Sequence, residues 1–150
     1  MRQDKFTISQ VSVITGLPAS TIRYYESIGL IPEVAREASS GRRLFSRQDC
    51  HTLTQLSCLS ASGMALEEVR EYMKRVDNTD PESARIQRAI FRTHKRKLVE
   101  QARVLKLRAH YADLKMAYWE AIEHEDTERA TELDNEARDL AQELRTLTKN

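Results

Sequence analysis

The sequence predicts a mainly α-helical protein with a compact N-terminal part and a long C-terminal helix. Charged residues make up 31% of the chain and aromatic residues only 6%, with 4 Gly and 3 Pro. This composition is typical of helices that carry long polar side chains. Beyond Pro81 the chain has no Gly or Pro, so no helix breaker interrupts it. Apolar residues there recur in steps of three and four, the heptad spacing of packed helices.

Bulk properties exclude several classes of protein. The 150 residues carry 24 Lys and Arg against 23 Asp and Glu, so any basic surface must come from local clustering. No apolar run approaches the ~18 residues of a membrane span, and residues 1–10 lack the apolar stretch of a secretion signal. We therefore expect a cytoplasmic protein without membrane association. The two cysteines, Cys50 and Cys58, are too few for a disulfide framework.

The first 32 residues predict two short helices joined by a turn. Residues 7–10 have the T-x-x-Q form of a capping box, and Ile8, Val11 and Ile14 follow at helical spacing. That helix should end at Gly16. A second should begin near residues 18–20 with Ile22 inward and stop at Gly29, since Pro32 follows. Two helices separated by "GLP" favour a helix-turn-helix.

Three further features complete the N-terminal part. Residues 33–45 are non-periodic with Ser-Ser-Gly in the middle, which indicates a loop or small hairpin. Ser46 and Asp49 then provide an N-cap and an acidic first turn for a third helix. Residues 64–73 predict a fourth helix, whose apolar residues we assign to a small helical core. "DNTDP" at 77–81 is the clearest break in the chain.

The C-terminal part predicts a long helix with two apolar rows, followed by a turn near 124–127 and a shorter amphipathic helix. The first row runs through Leu98, Ala102, Leu105, Ala109, Ala112, Met116 and Trp119. The second runs through Val104, Leu107, Tyr111, Leu114, Tyr118 and Ala121. Because two rows need two partners, we expect the first to bury against a second subunit. The second would take the tail helix or the N-terminal domain.

The strings "TISQVSVITGLPASTIRYYESIGLIP", "SSGRRLFSRQD" and "SGMALEEVREYM" resemble the winged-helix DNA-binding domain of the MerR family of transcriptional regulators. The resemblance covers roughly residues 6–76 in order and spacing. It implies a winged-helix domain at 1–76, a linker at 77–81, an antiparallel dimerisation helix at 82–123 and a helical tail at 124–150. The long helix matches by pattern and position rather than by motif.

The resemblance and the residue chemistry together place the DNA contacts. Ser20 and Thr21 start the second helix, where hydroxyls and free N–H groups contact phosphates. Arg23 lies one turn in, within reach of a base edge or a phosphate. The resemblance assigns Arg23, Tyr24 and Tyr25 to DNA. Adjacent helical positions point about 100° apart, so both tyrosines are not easily buried, although a packing role for one of them stays open.

The hairpin departs from the family pattern at one position. The family usually has an aromatic residue after the Gly of "SG-x-R", whereas this chain has Arg42 there. Arg43 matches the family's wing arginine. We count both as DNA-binding residues and expect the extra cation to steepen the salt dependence of binding. Pro18 and Ala65 are two smaller departures, since the family tends to have a hydroxyl N-cap at these positions.

The next question is which signal such a regulator responds to. Metal sensors of the family use cysteines around the dimer helix, and this chain has no Cys beyond 58, so we expect no metal and no cofactor. "SCLSASGM" resembles the NmlR/AdhR-type branch, which makes Cys58 a candidate redox or electrophile sensor; a plain core role is the alternative. Tyr111, Tyr118 and Trp119 either line a small-molecule effector pocket or simply pack.

These features predict a homodimeric, sequence-specific transcriptional regulator and not an enzyme, since no catalytic constellation stands out. The resemblance implies that it binds a pseudo-palindromic promoter with an overlong spacer and distorts it for RNA polymerase. The alternative is a DNA-architectural or excisionase-like protein without an effector. A coiled-coil module that binds protein would leave "RYYE" and the two wing arginines unexplained.

Overall fold

A computed structural model describes residues 5–149 of the chain. The described residues form six α-helices and one two-stranded antiparallel sheet, which confirms the mainly α prediction. None of the helices in this range is long and apolar enough to cross a membrane. The elements in chain order are β1 (Lys5–Phe6), α1 (Ile8–Thr15), α2 (Ala19–Ser27), β2 (Phe45–Ser46), α3 (Arg47–Ala61), α4 (Leu66–Met73), α5 (Pro81–Glu123) and α6 (Thr127–Leu147).

The helix-turn-helix begins with the capping box predicted at residues 7–10. The Gln10 N–H donates to the Thr7 hydroxyl over 3.4 Å, and the Thr7 N–H donates to the Gln10 side-chain oxygen over 2.9 Å. Helix α1 ends at Gly16, whose φ of 72° lies in the left-handed region that glycine enters without strain. The chain then reverses into α2, where Pro18 occupies the N-cap.

A polar residue of α1 faces the core. Thr15 is buried, whereas Ile14, which has the helical spacing of Ile8 and Val11, is 52% exposed. The Thr15 hydroxyl donates to the Val11 carbonyl over 2.8 Å, so this polar group is satisfied inside the domain. Its oxygen also accepts the Leu17 N–H over 3.2 Å. Thr15 therefore faces inward and fixes the start of the turn.

The N-terminal domain has a single apolar core shared by α1–α4 and β2. At its centre lie Val11, Ile22, Phe45, Leu53 and Leu56, all without measurable exposure. Ser46 and Asp49 form the predicted cap of α3: the Asp49 N–H donates to the Ser46 hydroxyl over 3.1 Å. Burying large apolar side chains, at roughly 1.5–3 kcal/mol each, is the main stabilising contribution in this unit.

Residues 33–45 contain a small hairpin, one of the two outcomes predicted for that segment. β2 pairs with β1 in the register Phe6 to Phe45, and an isolated bridge joins Arg36 to Arg43. The Leu44 N–H donates to the Ala35 carbonyl over 2.8 Å. At the tip Gly41 has a φ of 68°, which a non-glycine residue rarely adopts. This hairpin is called the wing below.

The chain divides into two compact units between Ile90 and Phe91, so α5 contributes to both. In the second unit α5 and α6 form a helical hairpin, with Glu125 in the turn at a φ of 58° and Asp126 capping α6. The hairpin core consists of Leu114, Ala121, Ala130, Leu133, Ala137 and Leu140. The tail helix thus packs on the second apolar row of α5.

The first apolar row of α5 is uncovered in the single chain. Leu105 is 61% exposed, Met116 64% and Trp119 62%. Members of the two rows lie two residues apart, a rotation of about 200° around a helix, so the rows occupy opposite sides of α5. Tyr118, in the second row, packs with the hairpin core, whereas Trp119 is mostly exposed. The centroids of the two rings lie 5.1 Å apart, with their planes at 78°.

Two isoleucines on neighbouring helices test the orientation of α1. We expect Ile22→Ala to lower the free energy of unfolding by about 2–5 kcal/mol, because it empties a fully buried site. Ile14→Ala should change it by no more than about 0.5 kcal/mol, because that side chain is half exposed. Urea unfolding of both variants measures the difference. Equal losses would contradict the assignment of Thr15 to the inward face.

Candidate nucleic-acid interface

Helix α2 turns Ile22 and Tyr25 toward the core and presents Arg23 and Tyr24 to solvent. Ile22 has no exposure and Tyr25 is 8% exposed, whereas Tyr24 is 50% exposed and Arg23 is exposed. The two tyrosine rings lie 6.2 Å apart at 42°. The adjacent tyrosines therefore have different environments, one in the core and one at the surface.

The beginning of α2 leaves polar groups available. Pro18 makes no side-chain cap, so the amides of the first turn have no side-chain acceptor. Ser20 in this turn is exposed and Thr21 is half-buried. A helix N-terminus with free N–H groups and hydroxyls attracts phosphate oxygens.

A cleft of about 450 Å³ lies between α1, α2 and the wing. Four of its lining residues are arginines, and the start of α1 provides the rest apart from Gly41. The lining residues are Thr7, Ile8, Ser9, Arg23, Arg36, Gly41, Arg42 and Arg43. Arg36, Thr7 and Ser9 were not predicted from the sequence as part of this site. Arg36 could have been found from hairpin pairing, since it lies opposite Arg43.

Glu26 of α2 fastens the wing to the helix. Its carboxylate accepts the Arg43 Nε–H over 2.5 Å and the Val34 N–H over 3.1 Å, so both strands of the wing bind one side chain. The Arg36 guanidinium donates to the Gly41 carbonyl over 3.0 Å, across the wing tip. Arg43 is therefore a positioning group as well as a cation of the cleft.

Two cleft arginines differ from Arg43. Within residues 5–149 no ion pair of Arg23 or Arg42 is recorded, and both are exposed. The Arg42 N–H donates to the Ser40 hydroxyl over 3.3 Å, which orders the backbone at the wing tip. Arg23 and Arg42 therefore face solvent as charges available to an external anion.

The charge state of Glu26 follows from its contacts with the wing. Burial alone would raise this pKa, but the hydrogen bond from Val34, the hydrogen bond and charge of Arg43, and the charge of Arg36 outweigh burial. The pKa of Glu26 therefore lies below its ordinary value of 4.5. The carboxylate is ionised at neutral pH and keeps Arg43 in place.

The two cysteines on α3 have different surroundings. Cys50 is buried, and burial together with the nearby Asp49 raises the pKa of its thiol. Cys58 is exposed. An exposed thiol is more accessible to electrophiles than a buried one. The reactivity of Cys58 stays a prediction. Among the described residues no group of three His, Cys, Asp or Glu side chains could hold a metal ion.

Comparison with known proteins identifies the N-terminal domain. The model of the MerR HTH family of regulatory proteins matches residues 6–76. Residues 6–76 are therefore similar to the MerR family of regulatory proteins. Among its relatives, the regulator AdhR of Bacillus subtilis is 40% identical over 65 residues, covering 43% of this chain and 46% of AdhR. The regulator HmrR of Rhizobium leguminosarum bv. viciae is 38% identical over 78 residues, covering 51% and 58%.

The chain spans about half the length of the curated relatives it matches, and both of these are named as transcriptional regulators. Solved structures of MerR-family proteins share the fold more widely. HiNmlR, a family member lacking the sensor domain and bound to promoter DNA, has a TM-score of 0.61 at 22% identity, over 86% of this chain and 95% of HiNmlR. A MerR-family regulator from Bacillus cereus has a TM-score of 0.62 at 20% identity, over 93% and 98%.

The Glu26 contacts predict an acid-sensitive wing. A depressed folded pKa contributes stability above the unfolded value of about 4.5, and this stability is lost as pH falls through the folded pKa. We expect Glu26→Gln to lower the free energy of unfolding by about 1–2 kcal/mol at pH 7. The difference from the unaltered protein should shrink below pH 4.5.

Denaturant unfolding between pH 7 and pH 3 measures this difference. Glu33→Gln is the matched control, because Glu33 is exposed on the same connection and its replacement should have no such effect. A pH-independent loss in Glu26→Gln would argue against an ionised Glu26 as the wing anchor.

Proposed function

We propose that the protein is a homodimeric transcriptional regulator whose two N-terminal domains bind and distort a promoter with an overlong spacer, so that RNA polymerase can use it. The observation that carries the proposal is the exposed Arg23 and Tyr24 beside an arginine-lined cleft. The similarity of residues 6–76 to the MerR family supports it. The promoter-bound relative HiNmlR shares the fold.

In this proposal α2 enters the major groove and the wing follows the phosphate backbone. Arg23 contacts a base edge or phosphate, and the hydroxyls of Ser20 and Thr21 contact phosphates at the helix start. The Tyr24 hydroxyl donates a hydrogen bond to a phosphate of the DNA backbone. A phosphate fits the cleft, where the first turn of α1 and the Arg42 charge converge. Tyr25, being buried, acts by bracing α2.

The uncovered row on α5 supports association of two copies. Seven large hydrophobic residues of α5 are 40–64% exposed. Four of them, Leu98, Leu105, Met116 and Trp119, belong to the first row. A continuous apolar row of this kind is seldom left in water, and a self-complementary partner covers it most simply. Because α6 occupies the opposite side of α5, folding of the hairpin leaves the row free for a second copy.

Charge along the chain supports an antiparallel pairing. Residues 83–110 contain nine Lys and Arg and a single acid, Glu100. Residues 112–123 of the same helix contain three Asp and Glu against a single Lys. An antiparallel pair places the basic stretch of one α5 helix along the acidic stretch of the other, whereas a parallel pair opposes like charges. The antiparallel orientation is therefore favoured electrostatically.

The dimer can be tested by placing a charge in the uncovered row. We expect Met116→Glu to weaken dimerisation at least tenfold, because it buries an unpaired carboxylate in the apolar seam. Thr93→Glu is the control, since Thr93 is exposed on α5 but outside both rows. Sedimentation equilibrium measures both variants. A monomeric parent protein, or equal effects of the two changes, would rule out the row as the interface.

The DNA contacts can be tested by the salt dependence of binding to the DNA upstream of the protein's own gene. We expect Arg42→Ala to reduce the slope of log K against log salt by about one, because one phosphate contact is lost. Arg23→Ala should cost about 1–3 kcal/mol for the specific site if it reads a base. Arg138→Ala, which removes an arginine paired with Asp134 on α6, is the control. Unchanged slopes would contradict the interface.

The alternative of an architectural DNA-binding protein without an effector predicts a different result. Footprinting of the promoter, with strand melting measured in the presence and absence of RNA polymerase, separates the two. The proposal requires a footprint over the spacer and polymerase-dependent melting that the protein changes. A footprint without any change in melting would favour the architectural function.

A further inference from the structure

A groove of about 500 Å³ lies on the α5–α6 hairpin. Its lining is partly apolar and partly polar. The apolar lining residues are Val104, Leu105 and Leu147, and the polar ones are Glu100, Gln101, Arg108 and Thr148. A volume of this size matches that of small-molecule sites, which combine an apolar lining with a few polar groups.

The polar lining of the groove contains one acid, Glu100, and one base, Arg108. The Glu100 carboxylate is held in a fork by Arg103, with distances of 2.9 and 3.1 Å, so its charge is compensated from outside the groove. Within residues 5–149 no ion pair of Arg108 is recorded, and its side chain is exposed. Arg108 is therefore the uncompensated charge of the groove.

The two ends of the groove differ. At the Thr148 end the last carbonyls of α6 carry partial negative charge, and the Thr148 hydroxyl is already turned back onto the Leu144 carbonyl at 3.0 Å. An anion is disfavoured there. Arg108 lies one helical turn beyond Val104, about 6 Å along α5, and offers a guanidinium fork suited to a carboxylate.

We propose that this groove binds a monoanionic amphipathic small molecule, such as a medium-chain carboxylic acid, with its head group on Arg108 and its hydrocarbon body along Val104, Leu105 and Leu147. Leu105 also belongs to the uncovered row, so a second copy would close the groove on that side. Binding of such a molecule would thereby be linked to dimer geometry. That regulatory use rests on the proposed function, whereas the binding itself does not.

Dodecanoate, titrated into the full-length protein by isothermal calorimetry below its micelle concentration, tests the site. The expected result is saturable binding of one molecule per chain. Arg108→Gln should weaken it about tenfold, because the charge-assisted hydrogen bond is lost. Arg138→Gln, an arginine exposed on the same hairpin but outside the groove, should leave it unchanged. Dodecanol, which lacks the charge, should bind more weakly to the parent and equally to both variants.

Several results would overturn the proposal. The first is the absence of saturable dodecanoate binding, and the second is an affinity of the Arg108→Gln protein equal to that of the parent. The third is binding that appears only in the Met116→Glu monomer, which would mean that a second copy fills the groove. Circular dichroism confirms that Arg108→Gln is folded. Promoter binding measured on the same samples keeps the two proposals separate: dodecanoate binding without DNA binding would reject only the proposed function.

Discussion

The hydrogen-bonded ion pair between Glu26 and Arg43 is the contact on which the candidate interface depends. Glu26 belongs to α2, and Arg43 and Val34 belong to opposite sides of the wing, so one carboxylate fixes the hairpin against the helix. A partly buried carboxylate with two donors is held in one geometry, whereas an exposed pair would contribute little. Helix α2 carries Arg23, and the wing carries Arg36 and Arg42. Because the ion pair holds the wing against the helix, the three arginines line one cleft.

In the second unit a single helix, α5, carries two apolar rows that need different partners. Helix α5 has to bury one apolar row against α6 and leaves another for association. Placing the rows two residues apart puts them on opposite sides, so the hairpin core around Leu133 forms without covering Met116. The unequal distribution of charge along α5 favours an antiparallel orientation of the two copies, which the apolar row alone would not determine.

Local chemistry made most of the fold predictable. The capping boxes at Thr7 and Ser46 and the turn after Glu123 involve neighbours in sequence, and the structure has each of them. The inward turn of Thr15 was missed because hydropathy spacing ignores a hydroxyl that binds the Val11 carbonyl. Arg36 was missed for another reason: its place in the cleft comes from hairpin pairing, which has no signature in sequence period.

The tyrosine pair illustrates the same limit. The 100° offset of adjacent helical positions indicated that the two rings would differ, but only the packing of α2 on the core decides that Tyr25 is the buried one. Sequence spacing gives the angle between neighbouring side chains. The direction in which the helix faces depends on residues far away in the chain, here Phe45 and Leu53.

The two-residue offset between the rows of α5 also limits how this helix can change in length. Inserting or deleting two residues in mid-helix would exchange the faces downstream, presenting Tyr111 and Leu114 outward and turning Met116 toward α6. One residue would leave neither face aligned. Inserting a whole heptad keeps both faces aligned, because seven residues are close to two full helical turns. Such an insertion preserves the face that packs on α6 together with the face proposed for association.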